Sequence, residues 1–295
     1  MELERRRFVS SGGDIAYADE GEGPAVVLLH GLPTSAHLWR DLVPILAPRF
    51  RAVAPDLLGY GASEKSPDGA LDIRAQAGYV RELLADLGIS EFAVVAHDIG
   101  GGIAQLLAFE GGVKTLVLID SISFDSWPIE GVKMIQGADD AQVDEVFAEN
   151  LMRAIFDLGM GHPERLSAED FAAYLAPWRK EPLALVRAAR GVDGVGLVGT
   201  EGRLSSLDAP AFIIWGEDDA YQPSELAEGL GEAIPGSSVA LLPGCGHYVT
   251  EDAPETVFPM ISEFLRIQYL KEPHRHGTET VEVSIERPEP RDGEA

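Results

Sequence analysis

The sequence predicts an α/β fold in which a mostly parallel sheet is covered by helices and interrupted once by a helical insertion. Short apolar runs alternate with helical stretches up to about residue 121 and again after residue 205. Between those limits the strand signal stops and amphipathic segments replace it. A chain of 295 residues that is 45% hydrophobic can fill one large core and carry an inserted subdomain.

The elements follow in order. Phe8–Ser11 and Ile15–Ala18, on either side of the Gly12-Gly13 turn, read as an antiparallel pair. Ala25–His30 (AVVLLH), Arg51–Leu57 (RAVAPDL), Phe92–His97 (FAVVAH) and Lys114–Asp120 (KTLVLID) are apolar enough to be buried on both faces. Residues 122–205 hold DDAQVDEVFAENLMRAIFDL and AEDFAAYLAPWRKEPLALVRAAR, whose apolar positions recur with helical spacing. Strands resume with Ala211–Trp215 (AFIIW) and Ser238–Leu242 (SVALL), and a helix over Pro254–Ile267 closes the fold. The division is therefore a core at 1–121 and 206–270, an insertion at 122–205, and a polar, proline-bearing tail at 271–295 that is expected to be flexible.

Charge narrows the classes of partner. Lysine plus arginine number 23 against 49 aspartates and glutamates, so a net charge of −26 repels phosphate backbones and anionic lipid surfaces. Neither nucleic acid nor membrane is expected as a partner. No apolar run approaches the length of a membrane span, and MELERRRFVSSGG lacks the apolar core of a signal peptide, so a cytoplasmic location is expected. Cys245 alone excludes an internal disulfide framework. The acidity fits a saline habitat and simple solubility equally well.

The chemistry concentrates at strand ends. Ala96-His97-Asp98-Ile99-Gly100-Gly101 follows a strand with the small residues that a sharp strand-to-helix turn needs, and Asp98 takes the position of a nucleophile. Alone, the hexapeptide is equally compatible with Asp98 capping the next helix. Trp215-Gly216-Glu217-Asp218-Asp219 and Gly244-Cys245-Gly246-His247 each follow a later strand and complete the chain order nucleophile, acid, histidine. Asp219 is the candidate for orienting the His247 ring, with Asp120 as the alternative acid and Glu217 and Asp218 expected in solvent. His30-Gly31-Leu32-Pro33 can turn the Leu32 N–H toward the nucleophile, and with the Ile99 N–H this makes a two-donor oxyanion hole.

A carboxylate is already ionised at neutral pH, so it attacks without prior proton removal and suits a saturated carbon bearing a leaving group. His247 is then needed to activate the water that hydrolyses the resulting ester.

These residues resemble the α/β-hydrolase fold superfamily from Phe8 to about Ile267. HGLPTSAHLWRDLVPILAPRFRAVAPDLLGYGASEKS, His30 to Ser66, is similar to its haloalkane dehalogenase and epoxide hydrolase branch, in which aspartate is the nucleophile. The resemblance implies that the insertion is a cap that selects the substrate. It also implies donors for the leaving group, and here the sequence departs from the branch. Haloalkane dehalogenases usually carry a tryptophan after the nucleophile and often an asparagine after His-Gly, where this chain has Ile99 and Leu32, neither with a side-chain donor. Trp127, Tyr174 and Trp178 from the insertion, with His97 beside the nucleophile, are the candidate pocket residues, although each aromatic serves equally well as lid core. Epoxide hydrolases usually use two cap tyrosines, of which only Tyr174 lies inside the insertion, Tyr221 and Tyr248 falling outside it. Fluoroacetate dehalogenases carry arginines after the nucleophile, and Ile99-Gly100-Gly101-Gly102-Ile103 has none.

The remaining motifs carry less. Cys245 reads as a small loop residue, Gly59-Tyr60-Gly61-Ala62-Ser63 as a tight turn without the lysine of a phosphate loop, and Gly100-Gly101-Gly102 as no dinucleotide fingerprint. His274-Arg275-His276 lacks further ligands at metal-binding spacing. The expected function is a hydrolase without metal or cofactor, acting on a small, mostly apolar electrophile with water as second substrate, most like a haloalkane dehalogenase. Epoxide hydrolysis through the same ester is the alternative, and a binding protein that keeps fold and pocket is the third reading. The sequence assigns no oligomeric state.

Overall fold

The computed structural model describes residues 3–65 and 68–272. The His274-Arg275-His276 motif and nearly all of the polar tail lie outside them.

Among the described residues eight strands form one sheet. They are β1 (Arg6–Val9), β2 (Asp14–Glu20), β3 (Ala25–Leu29), β4 (Arg51–Pro55), β5 (Phe92–His97), β6 (Val113–Ile119), β7 (Ala211–Gly216) and β8 (Ser238–Leu242), in the order β1-β2-β4-β3-β5-β6-β7-β8. β1 and β2 are antiparallel, and every pair from β4 through β8 is parallel. The strands read from sequence are present with ends moved by at most two residues. The central ones are buried along their whole length, β3, β5 and β7 without an exposed position, which is why they are continuous apolar runs rather than alternating ones.

The helices are α1 (Leu42–Leu46), α2 (Ile73–Asp86), α3 (Ile99–Glu110), α4 (Glu130–Gln136), α5 (Glu145–Gly159), α6 (Ala168–Lys180), α7 (Pro182–Gly191), α8 (Glu201–Leu204), α9 (Glu225–Ala233), α10 (Val249–Asp252) and α11 (Pro254–Gln268). α1 packs on α11 and β4, and α11 on β6. α3 lies over β3, β5 and β6, with α2 and α8 against it and α9 over β7 and β8. Both kinds of contact bury apolar surface at roughly 25 cal/mol per Å², and they enclose Trp39, Trp215, Phe92 and Leu28 at the sheet.

α4 to α8 make up the insert between β6 and β7; α4 to α7 pack on one another, while α8 packs on α3 and α9. Two amphipathic stretches break where sequence periodicity ran on. AEDFAAYLAPWRKEPLALVRAAR becomes α6 and α7, because Pro182 has no N–H to continue the ladder and instead serves as the first residue of a new helix. DDAQVDEVFAENLMRAIFDL becomes one short 3-10 turn over Asp140–Gln142 and α5, whose N-cap is Asp144, its side chain accepting the Phe147 N–H. No helix of the described residues is long and apolar enough to cross a membrane.

Candidate functional site

Every strand-end motif opens on the carboxyl edge of the parallel sheet, the edge where open α/β sheets carry their sites. Asp98 stands where β5 turns into α3, with φ 53° and ψ −121°, a backbone region that L-residues rarely adopt. Its side chain makes no capping bond to the helix. The turn is held from below: Asp98 N–H donates to the Ile119 carbonyl, and the Asp98 carbonyl accepts from Gly101 and Ile122. The glycines around it have a packing reason. A Cβ at Gly31 would collide with the Asp98 carboxyl, and one at Gly100 with the carbonyls of Leu29 and His30.

The carboxylate has two distinct oxygens. Oδ1 accepts the Leu32 N–H at 2.8 Å, while Oδ2 faces His247 Nε2 at 3.8 Å. The Ile99 N–H acts on the same carboxyl. Burial pushes the Asp98 carboxyl up to about 6, against the pull of His247 and of the two N–H groups. Asp98 and His247 are each only 2% exposed, so the site is closed to bulk water.

His247 Nδ1 lies 2.8 Å from Asp219 Oδ2. Asp219 in turn accepts the N–H groups of Tyr221 (2.7 Å) and Gln222 (2.9 Å) through Oδ1, so its orientation is set by the loop after β7. With Nδ1–H donated to Asp219, Nε2 is the basic nitrogen and it points at Asp98. Burial works to lower the His247 pKa, but the Asp219 charge and hydrogen bond, with Asp98 beyond, hold it above the ordinary value.

Asp120 does not reach the His247 ring nitrogen that Asp219 holds. Its Oδ1 accepts the Gly216 N–H at 2.9 Å, and burial, with the Asp219 charge beside it, pushes its carboxyl well above the usual range. Glu217 and Asp218 are exposed. Cys245 is buried and its thiol is pushed up to about 11 by burial, which removes it as a thiolate at neutral pH.

His97 lies beneath the histidine loop rather than in an open pocket. It is fully buried, its Nε2 donates to the His247 carbonyl at 2.8 Å, and its ring sits 4.7 Å from that of His247. Burial and the nearby His247 hold it neutral.

The aromatic residues of the insert each have a partner. Trp178 Nε1 donates to the Pro33 carbonyl at 2.7 Å, Trp127 Nε1 to the Val192 carbonyl at 3.4 Å, and the Tyr174 hydroxyl to Glu251 Oε1 at 2.6 Å. Glu251 is also gripped by both terminal nitrogens of Arg40, at 2.6 and 2.8 Å. Trp178 and Tyr174 thereby fasten the insert to the core, while the Trp127 bond closes within the insert. The Tyr221 hydroxyl is likewise engaged, at 2.8 Å from the Ile155 carbonyl.

Tyr60 and Asp252 escaped the sequence reading. The Tyr60 hydroxyl is fully buried without a partner among the described residues, and its ring stands edge-on to His30 (5.5 Å) and Trp178 (5.7 Å). Burial and the Asp98 charge raise its pKa well above the ordinary value. Asp252 accepts backbone N–H groups from the histidine loop and from the insert. Nothing in the local sequence marks either one, since Tyr60 sits in a turn motif and Asp252 in a short helix.

Known proteins share this framework. Residues 26–259 match the model of the alpha/beta hydrolase family. The chain is 30% identical over 284 residues to haloalkane dehalogenase 2 of Mycobacterium tuberculosis, covering 88% of this chain and 94% of that protein. It is 31% identical over 288 residues to a cis-3-alkyl-4-alkyloxetan-2-one decarboxylase of Xanthomonas campestris (88% and 95%), and 30% identical over 285 residues to a soluble epoxide hydrolase of a Corynebacterium species (89% and 97%). A solved alpha/beta hydrolase fold protein from Burkholderia ambifaria superposes with a TM-score of 0.81 at 31% identity, covering 88% of this chain and 97% of that one. Likeness to enzymes along nearly the whole length sets aside the reading as a binding protein. With the sheet order, the turn at Asp98 and the match over 26–259 in agreement, the chain is an enzyme that belongs to the alpha/beta hydrolase family.

Proposed function

We propose that the chain is a hydrolase acting on a small, mostly apolar electrophile through an ester on Asp98, with carbon–halogen cleavage as the reaction it supports best. The observation that carries this reading is the unequal environment of the two Asp98 oxygens. Oδ1 rests on the Leu32 N–H at 2.8 Å, and Oδ2 is the oxygen turned toward His247 Nε2, at 3.8 Å. Oδ2 is thus the attacking atom, and Oδ1 already occupies the place where an oxyanion later forms.

In the first step Oδ2 bonds to the substrate carbon and the carbon–halogen bond breaks, its electron pair leaving with the halide. In the second, water attacks Cγ of the ester while His247 Nε2 takes its proton, and the negative charge gathers on Oδ1 under the Leu32 and Ile99 N–H groups. Collapse releases the alcohol, which carries the former Oδ2 and receives the proton from His247; Asp98 keeps one oxygen from water and is restored as a carboxylate when the other water proton leaves to solvent. Asp219 holds the ring tautomer throughout. In this reading the insert serves as a cap, and the burial of Asp98 and His247 strengthens these interactions.

Halide is favoured over an oxygen leaving group because a halide departs without a proton. Tyr174, the acid expected for an epoxide, has its hydroxyl on Glu251. The indole N–H groups of Trp127 and Trp178 are also engaged. Tyr60 is a free buried donor suited to this role, because its ring stands against His30 and Trp178 and its hydroxyl feels the Asp98 charge. Names of relatives that denote a haloalkane, an epoxide and an oxetan-2-one as substrates are in keeping with attack on saturated carbon.

The test replaces His247 with phenylalanine and incubates the variant with a panel of haloalkanes and epoxides. Mass added at Asp98 supports the ester, and the added group names the substrate class. If the parent protein turns a compound over while the variant never gains mass on Asp98, the reading is wrong.

A further inference from the structure

The loop that carries His247 is built into the insert rather than only into its own strand. The His247 N–H donates to the Gly159 carbonyl at the end of α5, at 2.6 Å. Asp252, buried at the end of α10, receives three backbone N–H groups. Its Oδ1 accepts from His162 at 2.8 Å, and its Oδ2 accepts from Gly161 at 2.9 Å and from Gly246 at 2.8 Å. One carboxylate therefore bridges residues 161–162 of the insert and the residue preceding His247. A single carboxyl that takes backbone N–H groups from both segments holds the loop and the insert to one rigid point.

The two segments also touch without side chains between them. A Cβ at Gly161 would collide with the Gly244 carbonyl, and one at Gly246 with the Gly159 carbonyl and the Gly161 nitrogen. Below, the only bond to the His247 carbonyl among the described residues comes from His97. By contrast Asp98, Leu32 and Ile99 belong to β5, α3 and the loop after β3, and none of their hydrogen bonds involves residues 159–162.

We propose that Asp252 is a positioning residue for His247, tying the histidine loop to residues 159–162 so that the insert sets where the base stands against Asp98. This rests on the ester reading given above. It assigns the insert a part in the water-dependent half-reaction alone, besides its part in covering the site. Loosening the tie leaves Oδ2 and its attack unchanged and misplaces the base that activates water.

Three variants test this: Asp252→Asn, which keeps size and turns an N–H₂ toward a backbone N–H; Asp252→Glu, which keeps the charge; and Gly161→Ala, which pushes on the loop from the insert side. Single-turnover mixing with a haloalkane that the parent consumes follows the ester on Asp98 by mass. Its formation is expected within about threefold of the parent. Its decay is expected to slow by about ten- to a hundredfold in Asp252→Asn and Gly161→Ala, less in Asp252→Glu, with a displaced pH limb for decay.

A second readout needs no substrate. The low-field proton resonance of His247 Nδ1–H, held by Asp219 in the parent, is expected to broaden or vanish in Asp252→Asn and Gly161→Ala. Equal slowing of both half-reactions overturns the proposal, as does unchanged decay with an unchanged resonance. If the ester never forms even in His247→Phe, the reading of the reaction has failed, and the resonance alone decides the positioning role. Should Asp252→Asn fail to fold, Gly161→Ala and Asp252→Glu give the same two measurements.

Discussion

The sheet edge and the helical insert use polar atoms in opposite ways. At the sheet edge they converge on one another: Leu32 N–H on Asp98, His247 toward Asp98, Asp219 on His247. In the insert the donors that sequence assigned to a pocket go to structural acceptors, Trp178 to the Pro33 carbonyl and Tyr174 to Glu251. The difference follows from geometry. A residue at the end of a parallel strand has its direction set by the strand, whereas a helix side chain faces whatever its helix docks against.

The sharpest way to break this comparison is at Asp98. Asp98→Asn is expected to lower turnover by at least ~10⁴-fold, the scale seen when a member of a catalytic triad is removed. It should also make the protein more stable at pH 7, because a buried carboxyl raised from 3.8 to about 6 is charged there at a cost of roughly 3 kcal/mol. The sign is fixed by the direction of the shift. Between about pH 4 and 6 the folded state holds the Asp98 proton more tightly than the unfolded chain, so this group's contribution to stability falls as pH rises through that window. Denaturant titrations of parent and variant across pH 4 to 7 measure it. A variant no more stable than the parent at pH 7 breaks the account of Asp98 as a buried carboxyl charged at a cost to stability.

Next in size is Asp219→Asn, expected to cost about 10²- to 10⁴-fold in turnover, because the amide favours the wrong His247 tautomer. The acid limb of the parent's pH profile should have two components. Attack strengthens as pH rises through about 6 with ionisation of Asp98, and ester hydrolysis strengthens as His247 loses its proton above its ordinary range. Asp219→Asn should move the second limb most, downward in pH, since it removes the charge and hydrogen bond that hold the His247 pKa up, and the first limb less, in the same direction, since that charge also raises Asp98. A variant in which both limbs stay put would mean that Asp219 does not hold the ring.

The smallest effects separate the two kinds of aromatic donor. Tyr60→Phe is expected to slow formation of the Asp98 ester by about tenfold, the loss of one hydrogen bond to a departing anion. Tyr174→Phe should leave turnover within about threefold and lower stability by about 1 kcal/mol, because it removes a bond to Glu251 and touches no reacting atom. Reversed outcomes, seen in stopped-flow traces and thermal melts, would place the working donor in the insert and erase the contrast.

The strands, the turn at Asp98 and the pair Asp219 and His247 were legible because each rests on a local pattern tied to strand geometry. Asp219 was distinguishable from Asp120 only as a preference, and the structure shows why both attracted notice: they are neighbouring carboxyls, one hydrogen-bonded to His247 Nδ1 and one accepting the Gly216 N–H. Helical periodicity marked the insert as helical but ran through Glu181-Pro182, where the chain starts a new helix. Nothing local marked Asp252, whose partners are 90, 91 and 6 residues away.

By itself the sequence determined the sheet, the edge that carries the site, and the presence of a carboxylate where the chain turns from β5 into α3. These depend on short-range rules: apolar runs buried on both faces, small residues at a tight turn, and chain order. Only the tertiary structure decided which oxygen of Asp98 is held, which acid holds His247, and that the insert's aromatic donors serve attachment. Those outcomes depend on contacts between segments far apart in the chain, and no spacing along the sequence encodes which acceptor a docked helix will meet.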